Sequence, residues 1–452
     1  MSYSVSSKQL DDEASAPLDN LRYVFRGGSR KFQDTVERHS PHFIAKIASQ
    51  ALSEQLGEVR LSAEKVFSTS GSIVIRCRLM DGAAGLPKTF IVKKVKEDAI
   101  GYDPDSPEAP NSAHWIFNDW AATKFLSEIP SDSPLGPFFY GGSREHGLIV
   151  LEDLGDGDGP NTAEALGGND PALAEQLLIE HAALIGQLHA ATMGRFEQYR
   201  RLRSALGPEP IPQKIYQDPW SDARVLPIPR NEIDDAIRTY HASFAAVGIY
   251  PQSGVNEEIE WVTAAVEENP VPLLAYCKGD QNGAGDYIRQ SGKPRLFDFG
   301  SGGFRHALIE GMPWRMTWGC MMRIPNQSWR AMEMAYRSRL ICGYAGAIDD
   351  VRLYQSMVEA GARWNIFHIN HRLPDAIKSD RQRGPTTLRQ QVIAWIEAFA
   401  ELAEEHGQMQ ALGKSARAML KRLHDLWSIE SRKLPFFPAF RDSAGNTSSR
   451  PT

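Results

Sequence analysis

Cysteine is scarce. The 452-residue chain has four, Cys77, Cys277, Cys320 and Cys342, far apart and never in a CxxC pair. A zinc ribbon needs two close pairs and a secreted disulfide scaffold needs a much denser set, so both are excluded. Small apolar filler in a reducing compartment is the expected use. No apolar run reaches 18 residues, so no membrane span is expected. The first residues, MSYSVSSKQLDDEASAP, contain no apolar core of a signal peptide, and a cytoplasmic location is expected. Positive charge is not in excess either. Lys+Arg number 50 against 56 Asp+Glu, a formal net charge of −6, which argues against a broad basic face and a nucleic-acid partner.

Several catalytic signatures are also missing. There is no Gly-x-Ser-x-Gly elbow of an α/β-hydrolase, and no Gly-x-Gly-x-x-Gly follows the early strands as a dinucleotide fold requires. The stretch Gly407 to Ser415 imitates a P-loop, but five residues separate its glycines where four are needed. It also lies among helical patterns, not after a strand.

What is present is ordinary globular composition, 42% hydrophobic and 23% charged. The length fits about two or three structural units. After Ser40-Pro41, apolar residues of His42 to Leu52 recur every three or four positions, a helix. Val66-Phe67 and Ile73-Val-Ile-Arg-Cys-Arg-Leu79 read as strands, and Asp81-Gly82-Ala-Ala-Gly85 as a turn. Thr89-Phe-Ile-Val-Lys-Lys-Val95 is a further strand, giving an antiparallel hairpin. A Pro-rich loop at 101–110 precedes a helix over His114 to Leu126, with Phe117, Ala121 and Phe125 on one face. Gly147 to Leu151 is a strand running into Glu152-Asp153-Leu154.

The link Gly155-Asp-Gly-Asp-Gly159 is the expected boundary, beyond which helices dominate. Ala172 to Thr192 is one amphipathic helix ending near Gly194. Residues 326–427 read as helical, with breaks at Leu373-Pro374 and Gly384-Pro385, and 442–451 as disordered. The expected division is 1–55, an N-terminal extension with a helix; 56–154, a β-rich nucleotide-binding lobe; 155–440, a helical lobe carrying the catalytic and metal loops; and 441–452, a tail. Chemistry in such a protein is expected in the cleft between lobes.

One segment stands apart. Tyr276-Cys-Lys278-Gly-Asp280-Gln-Asn-Gly-Ala-Gly-Asp286 is a polar loop bearing carboxylates, and Arg295-Leu-Phe-Asp298-Phe-Gly300 ends a short apolar strand in another. Two acidic groups joined by a β-turn-β arrangement suit phosphoryl transfer, one orienting a hydroxyl and one holding a divalent cation.

With these motifs the sequence resembles the aminoglycoside-phosphotransferase-like branch of the protein-kinase-like fold, over roughly residues 56–325. Leu151-Glu152-Asp153-Leu154-Gly155, Leu188-His189-Ala190-Ala191, Arg305-His306 and Trp318-Gly-Cys-Met-Met-Arg323-Ile-Pro325 belong to the same likeness. The resemblance implies an α+β, bilobal protein-kinase-like fold, with a small antiparallel β-rich N-lobe and a large helical C-lobe extended by further helices. It implies an ATP- and Mg²⁺-dependent small-molecule kinase acting on a hydroxyl acceptor.

Carried over, the roles are these. Asp280 accepts the acceptor's hydroxyl proton, and Asp298 holds the metal. Lys93 contacts the nucleotide phosphates and Asp119 pairs with it; neighbours in a strand face opposite ways, so Lys94 is expected toward solvent, and it is the alternative lysine if the facing is reversed. The backbone from Glu152 to Leu154 serves adenine, and the turn Ser68-Thr-Ser70-Gly71-Ser72 covers the phosphates. The second metal ligand expected five residues after Asp280 is replaced by Gly285, leaving Asp286, or Asn282, to substitute, and Lys278 stands where the family has His. These departures keep open a catalytically impaired pseudokinase that binds nucleotide or a partner, and a transferase using the site for something other than ATP. Outside the motifs, Arg305-His306 is expected to brace the metal loop. Trp314, Trp318, Tyr336 and Trp364 are expected in the core, and the pair His368 and His371 is not expected to bind metal.

Overall fold

A computed structural model of the chain describes residues 39–441 except 69–70, 97–100, 109–110, 132, 213, 218–221, 280–285, 312–314, 316–321, 429 and 431–432. Ser70, Asp280, Asn282, Gly285, Trp314, Trp318 and the tail from 442 onward therefore lie outside the described residues. The chain is α+β and divides into two units, one of Met1–Asp158, Gln198–Ile211 and Arg295–Gly300, the other of Gly159–Glu197, Pro212–Pro294 and Ser301–Thr452.

The first unit is built on a five-stranded antiparallel sheet in the order β1-β2-β3-β5-β4. The strands are Arg60–Ser68 (β1), Ser72–Asp81 (β2), Thr89–Val95 (β3), Phe139–Ser143 (β4) and Leu148–Glu152 (β5). The β-branched run of β3 pairs on both sides, Val92 opposite Ile75 of β2 and opposite Val150 of β5. Period-two alternation sends Phe90 and Val92 to one face, where helix α1 (Pro41–Leu56) buries Ile44, Ala48 and Leu52 against them. The Ser40 side chain caps α1 by accepting from the Phe43 N–H, and Pro41 sits in the first turn, where its missing N–H costs nothing.

Helix α2 (Ser112–Ser127) covers the opposite face, where Ile116 and Phe117 pack with Val95, Ile149 and Leu151. Phe117, Ala121 and Phe125 are all buried, the face read from their spacing. Both faces of the sheet are thus covered, which corrects one expectation. Lys94, expected to face solvent, is only 2% exposed, because α1 packs on the face it shares with Phe90 and Val92.

The second unit is mostly helical. Its central helix α3 (Pro171–Thr192) starts on the Asp170 side-chain cap and is followed by Gly194 at φ +75°. It lies close to Asn326–Leu340: a Cβ on Gly186 would stand 2.4 Å from the Tyr336 carbonyl, so only glycine permits the approach.

The expected break at Leu373-Pro374 is absent. Helix Asp350–Phe367 continues through a π-helical turn at His368–Arg372 into Leu373–Lys378, and Pro374 falls in that first turn. Gly384 does interrupt the helices, at φ +63° in the tight hairpin joining Gln382–Arg383 to Thr386–Thr387. Gly407, at φ +64°, caps Leu388–His406, and Gly413 lies inside the next helix, so the P-loop imitation is two helices and their junction. Tyr336 and Trp364 are core residues, and His368 is stacked on Trp395 with ring centroids 3.5 Å apart. No helix among the described residues is long and apolar enough to cross a membrane.

Candidate active site

In the first unit, alternation along β3 turns Lys93 toward α2, away from the side of Phe90 and Val92. Its ammonium donates to Asp119 Oδ2 at 2.6 Å and to Asp298 Oδ1 at 2.7 Å. Asp119 is 1% exposed, and its other oxygen, Oδ1, accepts the backbone N–H of Phe299 at 3.1 Å. One residue earlier on the same helix, Asn118 Nδ2 donates to the Gly300 carbonyl at 3.2 Å. Arg203 Nε donates to Asn118 Oδ1 at 2.7 Å, which fixes which way that amide points.

Two consecutive α2 residues therefore hold the backbone just after Asp298, at the Phe299 N–H and the Gly300 carbonyl. Phe299 is fully buried, and a Cβ on Gly136 would stand 3.1 Å from its ring. Asp298 itself adopts φ +60°, a conformation that non-glycine residues rarely take, and its side chain is 52% exposed. Burial works against the charge on Lys93, but the two carboxylates outweigh it and lift its pKa above the ordinary lysine value.

The end of β5 is fixed by another ion pair. Glu152 receives Arg295 Nη1 at 3.1 Å and Nη2 at 2.6 Å, a two-pronged pairing, and its Oε2 also accepts the Phe138 N–H at 3.0 Å. Arg295 donates in addition to the Gly136 carbonyl. Asp153 pairs with Arg76 at 2.8 Å and accepts the Gly155 N–H, while Leu154 is buried. Gly71, in the turn between β1 and β2, is exposed, and its carbonyl accepts the Lys96 N–H at 3.1 Å.

In the second unit, β6 (Leu274–Cys277) pairs with β7 (Gly303–His306) and leads into Lys278 and Gly279, just before Asp280 in the sequence. Both backbone N–H groups are held by one carboxylate. Glu310 accepts Lys278 N–H on Oε2 at 2.9 Å and Gly279 N–H on Oε1 at 2.8 Å. His189, from α3, meets Glu310 Oε2 through Nε2 at 2.9 Å and the Tyr336 hydroxyl through Nδ1 at 2.8 Å. Facing a carboxylate, Nε2 carries the proton, so Nδ1 accepts from Tyr336.

Gly279 has φ +91°, and a Cβ there would stand 2.1 Å from the Ser301 carbonyl. Arg305 reaches that same carbonyl at 3.0 Å and the Cys277 carbonyl at 3.4 Å, tying strand end to loop. His189, Cys277 and Glu310 offer ligand atoms within 4.8 Å of one another. Hydrogen bonds already occupy both oxygens of Glu310 and both nitrogens of His189, which explains the grouping without a metal. At the far side of the loop, Asp286 Oδ2 is 2.8 Å from Lys278 Nζ, so the expected metal ligand already carries an ion pair.

The structure thus brings together Lys93, Asp119 and Asp298 in one unit, and Lys278 with Asp286 in the other. Glu310 and Arg295 belong to no motif in the sequence. A lone acid in the apolar run Ala307 to Met312 is the signal that points to Glu310, since such an acid must find buried partners.

No protein-family model matches the chain, and no curated protein matches it. Solved structures do. The chain is similar to a choline/ethanolamine kinase family protein from Mesorhizobium loti, at 10% identity and a TM-score of 0.38, covering 79% of this chain and 92% of that one. It is similar to a choline kinase from Cryptosporidium parvum, at 10% identity and a TM-score of 0.39, covering 80% and 93%. It is similar to an aminoglycoside phosphotransferase from Alicyclobacillus acidocaldarius, at 11% identity and a TM-score of 0.38, covering 79% and 93%. At values this low, no substrate or residue role passes from them to this chain.

Proposed function

We propose that the chain is a phosphotransferase that moves the γ-phosphoryl group of ATP to a hydroxyl of a small molecule. The observation that carries this reading is the Lys93 ammonium held between the buried Asp119 and the half-exposed Asp298, with α2 holding the Phe299 N–H and the Gly300 carbonyl that follow it. A lysine so fixed presents a permanent positive charge to nucleotide phosphates. Asp298 offers hard oxygen donors at an accessible position, the donor class that Mg²⁺ takes. When bound, that ion neutralises phosphate charge.

The other roles follow the chain. Asp119 keeps Lys93 in place. Ser70 and Gly71 lie over the phosphates, and the backbone from Glu152 to Leu154 receives the adenine edge, stiffened by Arg295. Asp280 orients the acceptor hydroxyl and takes its proton, and Glu310 positions the loop through the Lys278 and Gly279 N–H groups. Rate comes from positioning and charge neutralisation, with little covalent chemistry asked of the protein.

The test is ATP consumption by the full chain across a panel of hydroxylated metabolites, with Asp280→Asn alongside. Transfer to one class of acceptor, abolished in Asp280→Asn with nucleotide binding kept, is the expected result; undiminished transfer by the variant contradicts the assignment. Gly285 in the loop favours a second reading, a chain that binds nucleotide without transferring it. Binding with no turnover on any acceptor would select that reading.

A further inference from the structure

Wholly inside the second unit, the π-helical turn at His368 and the hairpin before Leu388–His406 meet in a closed cluster. The His368 imidazole stacks on Trp395 at 3.5 Å between centroids and lies near-parallel to Trp364. Gln391 stands one turn before Trp395 on the same helix, and its Nε2 donates to Thr386 Oγ1 at 2.9 Å and to the Arg383 carbonyl at 3.1 Å. The Arg383 guanidinium closes the circuit, lying near enough to His368 to act on its charge. His368, Gln391 and Thr386 are all 3% exposed or less.

Three atoms of this cluster are buried and, among the described residues, meet no hydrogen-bond partner: Arg383 Nη1, His368 Nδ1 and Gln391 Oε1. Leaving them so is costly, most of all for the charged guanidinium. Their chemistry defines what satisfies them. Arg383 Nη1 is a cationic donor. Burial, then Arg372, Arg363 and Arg383, push the His368 pKa well below its ordinary value, so the imidazole is neutral and can hold its single proton on Nδ1 as a second donor. The Gln391 amide is oriented without ambiguity, because the atom facing the Arg383 carbonyl must be the nitrogen; its oxygen can only accept.

Two donors, one of them charged, with an acceptor alongside, match an oxyanion that also carries a hydroxyl. We propose that this cluster binds a small hydroxyl-bearing oxyanion, a protonated phosphate or a hydroxycarboxylate, with Arg383 and His368 holding the oxyanion and the hydroxyl donating to Gln391. The site is separate from Lys93, Asp119 and Asp298, and its filling requires no nucleotide.

The experiment is isothermal titration calorimetry of the full chain at neutral pH and constant ionic strength, with inorganic phosphate against sulfate and glycolate against acetate. The first of each pair carries a hydroxyl and the second does not. One phosphate or one glycolate per chain is expected, bound at least about tenfold more tightly than its hydroxyl-free counterpart, and at least about tenfold more weakly in Arg383→Met. The tighter of phosphate and glycolate identifies which oxyanion the site takes. No saturable binding, equal binding within both pairs, or unchanged affinity in Arg383→Met overturns the proposal. The ranking of the four probes is read on the natural chain alone. If Arg383→Met fails to fold, Gln391→Met replaces it: the preference for the hydroxyl-bearing probe is expected to vanish, and a preserved preference overturns the proposal.

Discussion

Asp119 accepts the backbone N–H of Phe299 at 3.1 Å although 180 residues separate the two in sequence. Its second oxygen holds Lys93, so one buried carboxylate sets both the lysine and the backbone beside Asp298.

Removing that carboxylate strands two groups at once. Asp119→Ala leaves a mostly buried ammonium with one partner fewer and a buried N–H unpaired, a loss of about 3 kcal/mol. Denaturant unfolding of the full chain measures it. Burial lowers and the carboxylates more strongly raise the Lys93 pKa, so its folded value lies above the unfolded one. Its contribution is then complete below the ordinary lysine pKa and disappears only as pH rises through the folded value. The cost of Asp119→Ala is accordingly expected to be constant from about pH 6 to about pH 9.

His306 gives the opposite sign. Burial first, and His189 second, push its pKa from 6.5 down to about 3. Between those values the unfolded chain binds a proton that the folded chain refuses, so stability falls as pH drops from 6.5. Relative to a His306→Gln variant, the natural chain is expected to lose about 2 kcal/mol between pH 6.5 and about pH 5, read from unfolding midpoints across pH.

Gly279→Ala is expected to destabilise the chain by about 3 kcal/mol, since the new methyl meets the Ser301 carbonyl in a conformation that alanine rarely adopts. Glu310→Gln keeps the shape but removes the charge and replaces one of the two accepting oxygens with an NH2 that cannot receive an N–H. It is expected to lower turnover by about tenfold to a hundredfold with little change in KM for ATP, because its effect passes through the position of Asp280. A variant whose KM alone rises would contradict that role.

The elements legible in the sequence are those fixed by local chemistry. The β-branched run of Thr89–Val95 is β3 to the residue, and the Ser40-Pro41 start and the 114–126 periodicity lie within helices of nearly those bounds. What the sequence hid depends on distant approach. Arg295 meets Glu152 over a separation of 143 residues and Glu310 meets Gly279 over 31, and neither pair has a local signature. The burial of Lys94 was equally invisible, since a strand's alternation tells which residues share a face but not whether a helix covers it. Pro374 misled for a related reason: proline ends a helix from inside but is tolerated in a first turn, and the π-helical turn before it supplies one.

The central claim is that Lys93 and Asp298 serve a metal-bound nucleotide. Its most direct test is the thermal unfolding midpoint of the full chain with ATP, in the presence of Mg²⁺ or of a chelator, for the natural chain and Asp298→Asn. An upward shift in the natural chain that requires Mg²⁺ and is lost in the variant is expected. No shift with ATP and Mg²⁺, or the same shift with the chelator present, would contradict it.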